Sequence, residues 1–262
     1  MGGRRADEPA LREQMVAAVR RLDTLGLNRG STGNLSLRQA RNGRAGMLIT
    51  PTGAGADDLK AADLVWVGEG GEVEGLLAPS SEWPFHQAAY ARRAEVQAVV
   101  HTHAPNAAAL SCLGRGLPPF HYMVAVAGGD SVPCTPYHPF GSEALSEAVA
   151  DALADRDACL MAHHGLVAVG ATLAAAMKVA IEVEALCGMY LKLLPLGEPP
   201  HLSPAQMAEV VQKFRAYGRV RRPRAARRAR SRAAARRAPA RRRPGAPRRR
   251  PRRGTARRPA QR

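Results

Sequence analysis

The sequence predicts a mixed α+β fold, with helices layered about one sheet, and three observations predict it. Short apolar runs with a period of two alternate with longer segments whose apolar side chains recur at helical spacing. The two kinds of segment mingle without a regular βαβ repeat. With 262 residues, 45% of them hydrophobic, the chain is long enough for one substantial core.

The first helix is expected over residues 9–25, with Pro9 in its first turn, Leu11, Met15, Val19 and Leu22 on one face, and Gly26 as a stop. After a polar loop from Asn28 to Asn34, alternating Leu35 and Leu37 predict a strand. Residues 47–50 and 64–67 predict two more, separated by the turn-rich Pro51-Thr52-Gly53-Ala54-Gly55. Pro79-Ser80-Ser81-Glu82 reads as a helix start, with a serine cap and an acid in the first turn, leading into a helix over 85–92. A strand over 96–103 and a short helix over 107–113 follow. A helix capped by Ser142 is expected over 143–153, then strands over 159–163 and 166–169 around a His-Gly turn. A long helix over 173–194 ends at Pro195, and a last one runs from Ser203-Pro204 to near Gly218.

Charge divides the chain in two. The net charge of +17 comes from the end: from residue 221 onward there are 20 arginines and no acid, whereas residues 1–220 carry 19 basic against 22 acidic side chains. That tail collapses to Arg, Ala and Pro, so self-repulsion and the scarcity of large apolar side chains predict disorder over 221–262 and one folded domain over 1–220. Cys112, Cys134, Cys159 and Cys187 are widely spaced with no C-x-x-C, and read as buried free thiols of a reducing compartment. No apolar h-region follows Met1, and no stretch has the length of an uncharged membrane helix, so a cytoplasmic protein is expected.

The chemistry concentrates on histidines. In Val99-Val100-His101-Thr102-His103 the period of two puts both imidazoles on one face of a strand. Taken alone, such a pair is either a pair of satisfied polar groups or two metal ligands. A third ligand from Ala162-His163-His164-Gly165 would complete a set that leaves a zinc-type ion one open position for substrate. Adjacent residues on a strand face opposite ways, so only one of His163 and His164 should reach the ion. Glu82 is either a first-turn acid complementing a helix dipole or a proton-transfer group.

Collinear motifs tie these pieces together. They are Leu25-Gly26-Leu27-Asn28 with Gly33-Asn34-Leu35-Ser36, Leu48-Ile49-Thr50-Pro51-Thr52-Gly53, Pro79-Ser80-Ser81-Glu82-Trp83 and Val99-Val100-His101-Thr102-His103. His121-Tyr122-Met123, Ala127-Gly128-Gly129, Pro136-Tyr137, Phe140-Gly141 and His163-His164-Gly165-Leu166 continue the series. On them the chain, over roughly residues 8–219, resembles the class II, zinc-dependent sugar-phosphate aldolases.

The resemblance implies a three-layer α/β/α domain around a mostly antiparallel sheet, a homotetramer, and one Zn²⁺ per subunit on His101, His103 and His164. It implies Glu82 as the acid/base, able to coordinate the metal when substrate is absent. It carries a neutral phosphate site to Gly33, Asn34, Thr52, Gly53, Ser80 and Ser81, where hydroxyls and close backbone N–H groups can meet an anion. Tyr122 and Tyr217 match tyrosines near the cleaved bond, and Ser31 and Phe140 match the aldehyde pocket. The implied reaction is retro-aldol cleavage of a phosphorylated 2-ketose, L-fuculose 1-phosphate first, to dihydroxyacetone phosphate and L-lactaldehyde. A zinc ion suits it by stabilising the charge that develops beside the ketone. The alternatives are a 5-deoxypentose-phosphate aldolase, an L-ribulose-5-phosphate 4-epimerase and, of another class, a nucleic-acid-binding protein that uses the 221–262 tail with the aldolase-like body as scaffold.

Overall fold

A period of two in a strand sends alternate side chains to opposite faces, and a sheet covered on both sides buries both sets. In the computed structural model, which describes residues 8–216, the strands are built this way. They are β1 (Asn34–Arg38), β2 (Gly46–Ile49), β3 (Val65–Gly68), β4 (Val73–Glu74), β5 (Ala98–Thr102), β6 (Cys134–Thr135), β7 (Ala158–Met161) and β8 (Gly165–Gly170). One sheet holds them in the order β4-β3-β2-β1-β5-β8-β7-β6, antiparallel throughout except for the parallel pair β6 and β7.

Leu35, Leu48, Trp66, Val100, Leu160 and Leu166 point to one face, where they pack with α1 (Glu8–Thr24), α3 (Pro105–Cys112), α5 (Leu173–Leu193) and α6 (Pro204–Ala216). Met47, Ile49, Val65, Val99, Met161 and Val167 point to the other, against α2 (Trp83–Arg92) and α4 (Glu143–Ala152). The result is the expected three-layer α/β/α arrangement. Each such side chain, fully buried, contributes about 1.5–3 kcal/mol relative to exposure.

Register then places the chemistry. β5 lies between β1 and β8, with Asn34 opposite His101 and His101 opposite Val167. Antiparallel pairing on both sides brings the end of β5, with His101 on it and His103 directly after it, beside the start of β1 and the turn before β8. Asn34 and His164 therefore arrive from two directions at the same end of the sheet.

Several expectations need correction. Serine does not cap α2: Glu82 holds the N-cap position with no side-chain cap bond, and Ser80 Oγ instead accepts the Glu82 N–H at 3.3 Å. The strand expected over 159–163 stops at Met161, because His163 takes a left-handed conformation with φ of 56° and starts a turn. Of the four free cysteines, Cys159 and Cys187 are buried, but Cys134 is half-buried and Cys112, the last residue of α3, is exposed. The two-residue strands β4 and β6 were not expected, since two residues carry no period. Ser142 does cap α4, its Oγ accepting the Leu145 N–H at 3.2 Å. No helix among the described residues is long and apolar enough to cross a membrane. The expected tail, 221–262, lies outside the described residues.

Candidate metal centre and active site

Three imidazoles and one carboxylate converge where β1, β5 and the β7–β8 turn meet. Glu82, His101, His103 and His164 each present one ligand atom, and these atoms all lie within 4.8 Å of one another. The three rings are mutually 4.9 Å apart between centroids and steeply inclined, a propeller whose Nε2 atoms face inward. His163 and His164 lie in the turn rather than on a strand. Only His164 joins the cluster; His163 turns toward Tyr137, ring centroids 6.0 Å apart.

The donor set fits a divalent ion, and two observations carry the fit. His101 Nδ1 lies 3.0 Å from the Leu166 carbonyl, which only accepts, so that nitrogen carries the proton and Nε2 keeps an inward lone pair. Glu82 Oε1 is buried without a hydrogen-bond donor, although His164 Nε2 stands 3.1 Å away. The edges match as well: His101 Nε2 is 3.0 Å from His103 Nε2 and 3.2 Å from Glu82 Oε2. Zn–N bonds of about 2.0–2.1 Å at tetrahedral angles put neighbouring ligand atoms about 3.3 Å apart.

Electrostatics favour the ligating forms. Burial acts to raise the Glu82 carboxyl, but the neighbouring His101 and His164 outweigh it and hold the group below the ordinary carboxylate range, so it is ionised as a metal ligand must be. Burial, helped by the neighbouring histidines, pushes His103 down to about 4, so this ring is neutral near pH 7.

The surrounding chain holds the ligands still. The Glu184 carboxylate of α5 accepts the Asn106 and Ala107 N–H groups at 2.9 and 2.8 Å, capping α3 directly after His103. Asn28 Oδ1 accepts the His103 N–H at 3.3 Å. Gly165 lets β8 start beside His101 and His103, since a Cβ there would run into the Thr102 carbonyl. Gly33 has a φ of 71°, and a Cβ would stand 2.5 Å from Asn28 Oδ1 and 2.7 Å from the His101 carbonyl. Gly33→Ala is therefore expected to cost at least about 1–3 kcal/mol from backbone strain alone. That corresponds to roughly 2–4 °C of Tm per kcal/mol in a thermal melt, and an unchanged Tm would contradict this reading.

A cavity of about 390 Å³ opens onto the cluster, and most of the expected site residues line it. Gly33, Thr52, Gly53, Ser80 and Ser81 are among them. An isolated β-bridge between Pro51 and Pro79 pins the two loops that carry them. The Thr52 N–H bonds to Ala78 O and the Ser80 N–H to Thr50 O, so these residues offer the cavity their hydroxyls rather than their backbone. Among the described residues, no lysine or arginine lines the cavity. Ser31 and Phe140 line it too, with Thr32, Tyr137 and His163, to which the sequence had assigned no role. Tyr137 and His163 were both in motifs, and their contact across the β7–β8 turn was the missing signal.

Two of the expected residues that the structure describes do not line the cavity. His101 is fully buried, its Nε2 facing Glu82 and His103. Tyr122, half exposed at the start of a 3₁₀ turn (Tyr122–Ala127), does not line this cavity. Tyr217 lies outside the described residues. Asn34 lines the wall, yet its amide is engaged with Glu82 Oε2 and His86 Nε2 rather than free for phosphate.

Comparison with known proteins agrees with this geometry. The family model described as Class II Aldolase and Adducin N-terminal domain matches residues 13–191. The chain is 48% identical over 209 residues to the 5-methylthioribulose-1-phosphate/5-deoxyribulose-1-phosphate aldolase of Rhodospirillum rubrum, covering 80% of this chain and 93% of that one. It is 46% identical over 210 residues to the L-fuculose phosphate aldolase of Escherichia coli strain K12, covering 79% and 95%. A solved L-fuculose 1-phosphate aldolase superposes with a TM-score of 0.76 at 33% identity, over 81% of this chain and 100% of the other. Class II aldolases are metal-dependent, and the glutamate with three histidines answers that need. The chain therefore belongs to the class II aldolase and adducin N-terminal domain family and, within it, is an aldolase acting on a phosphorylated sugar.

Proposed function

We propose that this aldolase is a zinc enzyme that cleaves a 2-ketose 1-phosphate with a deoxygenated end, yielding dihydroxyacetone phosphate and a small aldehyde. L-Fuculose 1-phosphate, giving L-lactaldehyde, is the first candidate. 5-Deoxyribulose 1-phosphate is the second, favoured by the relative at 48% identity. The observation that carries the reading is the buried, unpartnered Glu82 Oε1 beside three inward-facing imidazoles, at a cavity lined by hydroxyls.

His101, His103 and His164 would hold the zinc, with Glu82 as a fourth ligand when substrate is absent. Bound there, zinc would act as a Lewis acid toward the ketone and offset the developing negative charge. Glu82 Oε1 gives a proton to the carbon released on cleavage and takes it back in the condensation direction. The hydroxyls of Thr52, Ser80 and Ser81, with Gly33 and Gly53 allowing close backbone approach, anchor the phosphate and fix the distance from it to the breaking bond. Phe140 and Tyr137, aromatic and largely exposed at the rim, suit a methyl-ended aldehyde. Ser31 contributes a small hydroxyl on the same side. Tyr122, though it does not line this cavity, and Tyr217 are carried as the groups that take the hydroxyl proton on cleavage and return it to the aldehyde oxygen on condensation. A cytoplasmic homotetramer is part of the proposal, with residues 221–262 as a separate basic segment outside the catalytic domain of 1–220.

A substrate panel tests it. Purified enzyme is given L-fuculose 1-phosphate, 5-deoxyribulose 1-phosphate, 5-methylthioribulose 1-phosphate and L-ribulose 5-phosphate, while dihydroxyacetone phosphate and the aldehyde are assayed. Release from one or more of the three 1-phosphates, with none from L-ribulose 5-phosphate, is the expected result. Epimerised L-ribulose 5-phosphate with no released product from any sugar would move the chain to the epimerase reading.

A further inference from the structure

Behind Glu82 lies a run of buried polar side chains that the reaction above does not use. Asn34 Nδ2 donates to Glu82 Oε2 at 2.8 Å, and Asn34 Oδ1 is 2.5 Å from His86 Nε2. His86 Nδ1 is 2.8 Å from Ser36 Oγ, which is 2.9 Å from the Tyr90 hydroxyl. His86 and Ser36 are fully buried, Asn34 and Tyr90 nearly so. Asn34 and Ser36 are two apart on β1 and so share a face; His86 and Tyr90, four apart on α2, share the facing one.

One set of donors satisfies the whole run. An ionised carboxylate only accepts, so Asn34 must turn its NH₂ to Glu82 and its carbonyl to His86. His86 Nε2 therefore carries the ring proton, and burial, which pushes the ring's pKa down to about 3, keeps it neutral. Nδ1 then accepts the Ser36 hydroxyl, whose oxygen accepts from Tyr90. The direction of donation runs from Tyr90 to the carboxylate, ending at Oε2. Oε1 has no hydrogen-bond donor among the described residues. The two oxygens of Glu82 are thus made unequal by the protein.

We propose that Asn34 and His86 are positioning residues for the acid/base glutamate: the run from Tyr90 through Ser36, His86 and Asn34 ties down Oε2 so that Oε1 alone meets the substrate carbon. This rests on the reading of Glu82 as the proton-transfer group. It also gives the Asn34 side chain a task other than phosphate binding, leaving the anion to the hydroxyl loops.

Exchange of the C–H proton beside the ketone of dihydroxyacetone phosphate tests this in D₂O without any aldehyde. Glu82 removes the proton, exchanges it with solvent and returns a deuteron, and NMR follows the label. In the zinc-loaded full chain, His86→Met is expected to slow exchange about 10–100-fold, the usual effect of losing a partner behind a metal or catalytic group. Zinc content and the Kd for dihydroxyacetone phosphate should stay unchanged. His86→Gln, whose amide can still donate to Asn34, should recover most of the rate. Ser36→Ala, a smaller change farther from the carboxylate, should give a smaller loss, and it serves if His86→Met does not fold. Wild-type exchange in folded His86→Met and Ser36→Ala overturns the proposal, as does a loss that only tracks missing zinc, or a Gln variant as slow as Met. Failure of the wild-type protein to exchange the label at all would instead overturn the function of Glu82, and the positioning role with it.

Discussion

Glu82→Gln is expected to keep the fold and the zinc and to lower turnover by about 10²–10⁴-fold, the range ascribed to a positioned acid or base. Glutamine matches the volume of glutamate, and the three imidazoles that hold the ion are untouched. The orientation of the new amide is dictated by its neighbour: Asn34 Nδ2 sits 2.8 Å from Oε2, so the amide oxygen must face Asn34 and the NH₂ must take the place of Oε1. The position that should accept a proton then presents two N–H groups. Label exchange into dihydroxyacetone phosphate, run beside cleavage, shows whether the loss is at the proton-transfer step. Exchange near the wild-type rate would take the role away from Glu82.

What the sequence made legible depended on how far apart the cooperating residues lie. His101 lies on β5 and His103 directly after its end, two residues on, and Ser142 caps the helix that begins beside it, so period was enough to bring the pair together and cap chemistry to start the helix. Glu82 looked like a first-turn acid behind a capping serine, because N-cap preference carries no information about the histidines packed above that turn. The pair His163-His164 was separated for the wrong reason: a positive φ in a turn, and not strand alternation, parts the two rings. Most hidden was the Asn34–His86 link, whose partners are 52 residues apart. Its only trace was local: two polar residues on the β1 face opposite Leu35 and Leu37, and a histidine four residues before a tyrosine in α2. Both faces had to be known as buried before those polar groups demanded partners. Cys112 shows the converse, a residue in apolar sequence that ends a helix at the surface.

Removing the metal is expected to abolish activity while leaving a folded protein, and the contrast follows from where the ligands sit. His101 is anchored by the Leu166 carbonyl, His103 by Asn28 and the capped α3, and His164 by a turn whose N–H groups bond to Ser111 and Met161. None of these contacts needs an ion, and the apolar layers on both faces of the sheet close without one. A small domain folded around zinc has no such core and unfolds when chelated. Here chelator treatment should preserve the circular dichroism and a cooperative melt, and one equivalent of zinc per chain should restore turnover. Because the ion binds only the folded state, zinc at 1,000 times its Kd should add about 4 kcal/mol, roughly 8–16 °C of Tm. His103→Ala, which deletes one ligand open to the cavity, should lose both the zinc-dependent rise in Tm and the activity yet melt near the metal-free wild type. Full activity after exhaustive chelation would end the zinc mechanism. Collapse of the fold on chelation would make the cluster a structural site, and the unpartnered Oε1 of Glu82 would then need another explanation.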